Sequence, residues 1–405
     1  MLSKHHGLGV MLAGALVVLP VSLAAQSIPA KGTSTTFDVA TWNIEWFGAA
    51  NGPADDELQF QNVLYVMRAT EIDLWAVQEI ADDLDFFRLV DSLGAPYNGF
   101  LATESGQQRI GFIFNEDLVS PRSIGHVLTG VPEDPFAGRP PLELVADVAV
   151  ADSTRTLTFI TLHMKCCGST EDHERRLSAS IRLKNHIDFT SRSDDPVVIL
   201  GDFNDELDDS ITGGRDTPYR NFLDDPNAFR FTTFDLDAAN LATFCSSSLC
   251  GSGSTLDHIL ITNELYFDVE GGTTDRIIEL VDAIPGYVQS TSDHLPVFAR
   301  IRHGIRTGLD DTRMDGSERL RVFPNPSNGQ TYVELAGAAV STGAVVRVYD
   351  TLGRSVMQSM RTIGASDLQG RSRFALDTTD LSPGVYVLLV SNDRQSWAGH
   401  LVVTQ

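Results

Sequence analysis

The sequence predicts an α/β domain followed by a small all-β domain. Short apolar runs repeatedly end in Asp, Asn, Glu or His, as buried strands do where chemistry gathers. Residues 304–319 are polar and mostly aperiodic and read as a linker. Beyond them, turns and short strands replace the mixed helix-and-strand pattern. The 405 residues exceed one typical domain. The expected division is a signal peptide at 1–25, an α/β domain at 26–303, the linker at 304–319 and a β-sandwich at 320–405.

Lys4, His5 and His6 precede an apolar core over residues 8–21, and Ser22-Leu23-Ala24-Ala25-Gln26 supplies small residues for cleavage. That pattern is a secretory signal peptide. The core is short for a membrane anchor and no basic stop-transfer cluster follows. No other stretch spans a bilayer, and no Cys follows the signal to carry a lipid. Export is expected, and the sequence sets no oligomeric state. A net charge of −24 argues against a broad basic surface for nucleic acid. A divalent metal can still reverse the field locally.

Phe37-Asp38-Val39-Ala40-Thr41-Trp42-Asn43 alternates as a strand and leads into Ile44-Glu45. Phe60, Val63, Leu64 and Met67 then recur at helical spacing. Ile72-Asp73-Leu74-Trp75-Ala76-Val77-Gln78-Glu79 is a second strand that closes on a carboxylate. Arg109-Ile110-Gly111-Phe112-Ile113-Phe114 is a third, and 144–150 and 157–163 are further strands. Ser169 or Thr170 caps a helix running to about Phe189. Its apolar stripe is read as Leu177, Ile181, Leu183 and Ile187, with Arg175, Arg176, Arg182 and Lys184 on a solvated face. Val197-Val198-Ile199-Leu200 is the most buried run, broken by Gly201 before Asp202-Phe203-Asn204. Asp202 and Asn204 share one face if the extended period persists, although the same residues also suit a turn. Residues 205–253 are irregular and suit a substrate lip. Strand character returns at 255–261 and around Ser292-Asp293-His294-Leu295-Pro296-Val297-Phe298.

Four cysteines, Cys166, Cys167, Cys245 and Cys250, allow three full disulfide pairings in an exported chain. A zinc site is the rival, but the spacing lacks paired knuckles. Disulfides fastening loops near the site are expected.

Asn43, Glu79, His163, Asp202, Asn204, Asp257, Asp293 and His294 all fall at or near strand ends. Carboxylates, amides and two histidines without a Ser or Cys nucleophile suit a hard cation and an activated water.

The motifs Thr41-Trp42-Asn43-Ile44, Gln78-Glu79, Arg109-Ile110-Gly111-Phe112, Leu162-His163, Gly201-Asp202-Phe203-Asn204, Ser254-Thr255-Leu256-Asp257-His258-Ile259 and Ser292-Asp293-His294-Leu295-Pro296 resemble the endonuclease/exonuclease/phosphatase superfamily that includes deoxyribonuclease I. The resemblance covers residues 37–302. It implies a four-layer α/β sandwich with two central mixed sheets and metal-dependent hydrolysis of a phosphate ester. It implies Glu79, Asn43 and Asp293 at the metal, with Glu45 assisting. Asp257 and His294 match an orienting Asp–His pair. His163 matches a second histidine at the phosphate or leaving group. Asp202 and Asn204 match the pair that places water and phosphate, and Arg109 matches a phosphate holder. Mg²⁺ or Mn²⁺ is the implied cofactor, with Ca²⁺ a candidate structural ion. The cysteines do not match the deoxyribonuclease I disulfide pattern.

Phe323-Pro324-Asn325-Pro326, Tyr349-Asp350-Thr351-Leu352-Gly353 and Leu381-Ser382-Pro383-Gly384-Val385-Tyr386 resemble the type A sorting domain of type IX secretion substrates. That implies the type IX secretion machinery as a partner and a secreted or surface-attached product. The leading expectation is a secreted metal-dependent nuclease with nucleic acid as substrate. Its rivals are a sphingomyelinase-like or phosphomonoesterase enzyme of the same fold, and a catalytically inactive surface-displayed binding protein.

Overall fold

The computed structural model describes residues 27–49, 51–103, 106, 108–132, 134–150, 153–189, 195–266, 268–269, 272–302, 320–336, 343–350, 354–362, 371–391 and 396–404. The expected signal peptide, the linker and the turn residues Leu352 and Gly353 lie outside them.

In chain order the first half runs β1 (Thr36–Phe47), α1 (Asp56–Thr70), β2 (Leu74–Ile80), α2 (Asp83–Leu93), β3 (Tyr97–Leu101), β4 (Arg109–Asn115), β5 (Val119–His126), β6 (Leu142–Val150), β7 (Ser153–His163), α3 (Thr170–Asp188) and β8 (Val197–Asp202). Short elements follow: α4 (Arg220–Leu223), β9 (Phe229–Phe231), α5 (Phe234–Ala238), β10 (Phe244–Cys245) and β11 (Gly253–Ser254). The set closes with β12 (Asp257–Thr262), β13 (Asp275–Arg276), α6 (Leu280–Ala283), α7 (Tyr287–Ser290) and β14 (Val297–Arg302).

These strands build two mixed six-stranded sheets, ordered β13-β14-β1-β2-β4-β3 and β5-β6-β7-β8-β12-β9. Within them β1–β2 and β7–β8 are parallel and the other pairs antiparallel. Phe37, Val39, Leu74, Phe112, Phe159, Val198, Leu200, Ile259 and Val297 interdigitate in the core between the sheets. The pleat turns alternate residues outward. The largest side chains there are Trp42 and Trp75, which cluster with Phe60, Val63 and Met67 of α1 and Phe86 and Leu89 of α2. On the other side Ile160, Leu162, Ile199 and Leu260 meet Ala179, Leu183 and Ile187 of α3. Four layers result, as the sequence leads one to expect.

Helix α3 corrects one assignment. Its buried face is His173, Arg176, Ala179, Ser180, Leu183 and Ile187, while Ile181 is exposed. The 3.6-residue period puts Arg176 three residues before Ala179 and seven before Leu183, on the core face. Arg176 is fully buried, not solvated, and Nε bonds Asp205 Oδ2 at 2.8 Å. Ser169 caps α3 by accepting from Asp172 N.

The C-terminal part contains β15 (Leu320–Phe323), β16 (Gln330–Ala336), β17 (Gly343–Tyr349), β18 (Ser355–Thr362), β19 (Arg371–Asp377), β20 (Gly384–Ser391) and β21 (Ser396–Val403). They form sheets β15-β16-β19 and β18-β17-β20-β21. Val333, Leu335, Val346, Val348, Leu376, Leu388, Val390 and Leu401 share the core between them.

Candidate active site

The site forms where the strand ends of both sheets meet. His163 ends β7, Asp202 ends β8 and Asp257 begins β12. The registers pair His163 with Asp202 and Asp257 with Asp202. Three adjacent strands thus set a histidine and two carboxylates in one row. From the other sheet, Asn43 and Glu79 arrive on β1 and β2. The β1–β2 register shifts between Asn43 and Phe47, and the β2–β4 register shifts between Val77 and Ile80. Such bulges re-aim side chains. Glu45, Trp46 and Glu79 adopt φ of 42°, 53° and 60°. That conformation is uncommon for residues with a side chain and clusters at functional sites.

Asn43 Nδ2 joins the sheets, donating to Asp202 Oδ2 at 2.9 Å and Glu79 Oε1 at 3.2 Å. Trp46 N donates to Glu79 Oε2 at 3.2 Å, and Asp293 N to Glu45 Oε2 at 2.9 Å. Asn204 sits at φ 54°, its N–H donating to Asp202 Oδ1 at 2.9 Å and its Nδ2 to Met164 O at 3.2 Å. The turn reading of this stretch is realised: the extended period stops at Asp202, and the turn brings Asn204 to the same cleft as Asp202. Phe203 turns away to pack on Tyr219, Phe231 and His258.

His294 Nδ1 lies 2.8 Å from Asp257 Oδ2, and its Nε2 faces Asp202 Oδ2 at 4.0 Å and Asp293 Oδ1 at 3.9 Å. Burial pushes this imidazole down, but Asp257, with help from Asp202 and Asp293, holds it well above the usual histidine range. His163 is the opposite case. Burial, reinforced by Arg139 and His294, holds it well below that range and hence neutral. Its Nε2 stands 3.5 Å from Asp202 and 3.7 Å from Glu79, and its Nδ1 is buried without a hydrogen-bond partner.

A cleft of about 670 Å³ opens over these groups. Acidic Glu45, Glu79 and Asp293 line it, as do basic Arg139, Lys165 and Arg175. Arg109 does not line it. Its Nη2 bonds Asp83 Oδ1 at 2.9 Å and Ala81 O at 3.1 Å. Arg139 is the cationic group that sequence reasoning passed over. Its guanidinium is fixed by His163 O, Met164 O and Gln108 Oε1. The only local signal is an arginine before two prolines in a loop.

The donor set fits a hard cation. Burial and the Asp293 carboxylate push the Glu45 carboxyl up to about 7. Burial, with Asp257 and Glu79 adding to it, pushes Asp202 up to about 7 as well. Crowded carboxylates of this kind are relieved by a bound cation. Glu45, Glu79 and Asp293 offer carboxylate oxygens to the cleft of the type such a cation takes. Asp202, Asp257 and His294 also offer ligand atoms within 4.8 Å of one another. There, Asp257 Oδ2 and His294 Nδ1 already pair, while Asp257 Oδ1 is buried without a hydrogen-bond partner.

The Cys245–Cys250 disulfide closes a loop beside the pair. Cys245 N donates to Asp293 O at 2.7 Å and the Phe244 ring packs 5.3 Å from His294. One of the expected loop-fastening disulfides is thus present, while Cys166 and Cys167 are free.

No curated protein matches the chain. Similar solved structures include the human Nocturnin catalytic domain, at 16% identity and TM-score 0.47 over 66% of this chain and 94% of that one. A D. rerio TDP2 structure is similar at 14% identity and TM-score 0.49 over 66% and 100%. Bacteroides thetaiotaomicron mannosyl-6-phosphatase is similar at 15% identity and TM-score 0.47 over 66% and 100%. Residues 321–404 match the secretion system C-terminal sorting domain, which indicates export. Residues 40–294, more than half of the chain, match the Endonuclease/Exonuclease/phosphatase family, and the protein belongs to that family.

Proposed function

We propose that the protein is an exported, divalent-cation-dependent phosphodiesterase that cleaves nucleic acid with an activated water. The Asp257–His294 pair carries this reading, because its His294 lines the same cleft as Glu79 and Asp293. A hard cation bound at Glu79, Asn43, Asp293 and Glu45 would supply charge neutralisation at a phosphoryl oxygen. The remaining work falls to the chain. Asp202, buried and poised near neutrality, orients water and accepts its proton. Asn204 helps hold the phosphate beside it. Charged His294 donates to a phosphoryl oxygen, with Asp257 fixing its ring. Neutral His163 donates to the phosphate or leaving group. Arg139 gives the phosphate a second positive contact.

The test is a panel of duplex DNA, single-stranded DNA, RNA, sphingomyelin and a phosphomonoester, each with Mg²⁺, Mn²⁺, Ca²⁺ or chelator. Cleavage of a nucleic acid with Mg²⁺ or Mn²⁺ is expected. The net charge of −24 favours a second reading, a compact sphingomyelin-like or monoester substrate. Turnover of those substrates alone would replace the first. No turnover of any substrate would leave a binding protein.

The catalytic unit is proposed to end near residue 303 and the sorting unit to begin near 320. A chain ending at Arg302 should hydrolyse at the full-length rate yet remain in the periplasm of a type IX-secreting host. Lost activity in the purified short form would assign the C-terminal part to the active site.

A further inference from the structure

Cys166 and Cys167 are adjacent, exposed and free, with Sγ atoms 2.7 Å apart. Both line the cleft that holds His163 and Glu79. The hydrolytic reading gives them no task. Their segment is firmly held. Met164 N donates to Asp202 O at 2.9 Å. Met164 O accepts from Asn204 Nδ2 and Arg139 Nη2, each at 3.2 Å. Lys165 O and Cys167 O accept from buried Arg176 Nη1 at 2.8 and 2.7 Å. Cys167 itself sits at φ 83°, an uncommon conformation for a residue with a side chain.

We propose that Cys166 and Cys167 form a reversible dithiol–disulfide site at the cleft rim, oxidised by small disulfides, and that oxidation slows hydrolysis. The chemistry balances in two exchanges. One Cys thiolate attacks RS–SR, forming a mixed disulfide and releasing RS⁻. The second thiolate attacks the bonded Cys sulfur, closing the Cys166–Cys167 disulfide and releasing a second RS⁻. The two thiol protons pass to solvent or to the released thiolates, so two RSH appear for each disulfide consumed.

Reversibility follows from sequence adjacency. Neighbouring Cα atoms across a trans peptide stand about 3.8 Å apart. Relaxed disulfides prefer roughly 4.4–6.8 Å. The closed ring is therefore strained and readily reduced. Cys245 and Cys250, buried with Cα atoms 4.5 Å apart, are the lasting structural bridge. Closing the Cys166–Cys167 ring reshapes a peptide flanked by anchored carbonyls. Its pull reaches Met164 O, which seats Asn204 and Arg139. Lys165 Nζ, 3.5 Å from Cys166 Sγ, is displaced with it.

The full-length chain is equilibrated with oxidised glutathione, then with dithiothreitol, and its peptides are mapped by mass. The expected result is an internal Cys166–Cys167 disulfide that forms and reverses. Turnover should fall several-fold on oxidation and recover on reduction. A variant carrying both Cys166→Ser and Cys167→Ser should match the reduced rate and ignore oxidant. Two glutathionylated or unreacted thiols would overturn the proposal, as would an unchanged rate once the ring has formed. Mapping needs no substrate, so an inactive hydrolase and an absent ring are distinguishable.

Discussion

Asp257 Oδ2 is held from two sides, by His294 Nδ1 at 2.8 Å and by Thr243 Oγ1 at 2.7 Å. Asp257 N also donates to Thr243 Oγ1 at 3.0 Å. The carboxylate is thus fixed before any substrate arrives, and it fixes the ring in turn.

Replacing Asp257 with Asn keeps the shape and removes the charge. We expect kcat to fall by on the order of 10²- to 10⁴-fold with little change in KM. Circular dichroism should stay native. Near-normal turnover by Asp257→Asn would remove the pair from the mechanism.

Chelator should abolish hydrolysis and Mg²⁺ should restore it. Mg²⁺ at 100 times its Kd should also stabilise the native chain by about 2.7 kcal/mol. Glu79→Gln, which removes a charged ligand, should lose most of that thermal shift. The same upshift in both proteins would place the cation elsewhere.

Asp73 gives a pH-dependent stability outside the cleft. Burial pushes its carboxyl up to about 7 from 3.8, although the Asp38 N–H bonded to Oδ2 opposes the shift. The native state therefore keeps a proton that the unfolded chain releases near 3.8. This contribution is complete below pH 3.8 and lost as pH rises through about 7. Asp73→Asn should be about as stable as the parent at pH 4 but more stable at pH 8, by roughly 4 kcal/mol. Urea midpoints at the two pH values decide it, and a larger gain at pH 4 would contradict the assignment.

Arg176 and Asp205 form an ion pair with no exposed side-chain surface. Arg176→Met leaves the Asp205 carboxylate without its counter-charge, though still bonded to Ser210 Oγ and Ile211 N, and frees the carbonyls of Lys165 and Cys167. The expected loss is about 3–5 kcal/mol in denaturant unfolding. A loss below about 1 kcal/mol would mean that water reaches the pair as in a surface bridge.

The strands and the carboxylate row were legible because buried strands leave uninterrupted apolar runs. The run over Val197, Val198, Ile199 and Leu200 and its polar end at Asp202 needed no tertiary information. Helix α2 was less legible, since Leu84 and Phe87 are exposed beside buried Phe86, Leu89 and Val90. Strand β5 carries Pro121 and an exposed Ser-Pro-Arg-Ser stretch, so it lacks an apolar signature. Arg176 was hidden because a charged residue on a core face is visible only through its distant partner. The cleft position of Arg139 likewise depends on the carbonyls of His163 and Met164. Arg109 shows the converse: a strand-leading arginine whose charge is taken by Asp83.

The hydrogen bonds from Asn43 to Asp202 and from Gln78 to Thr161 span two sheets that otherwise meet largely through apolar side chains with no directional preference. Greasy contacts tolerate sliding, whereas a bond of this length does not. The reaction centre is therefore a gauge of alignment: each sheet carries half of an instrument that reads only when the halves are in register. The rim segments at Met164 and Cys245 are tied to the same frame, through Asn204 and Arg139 in one case and Asp293 in the other.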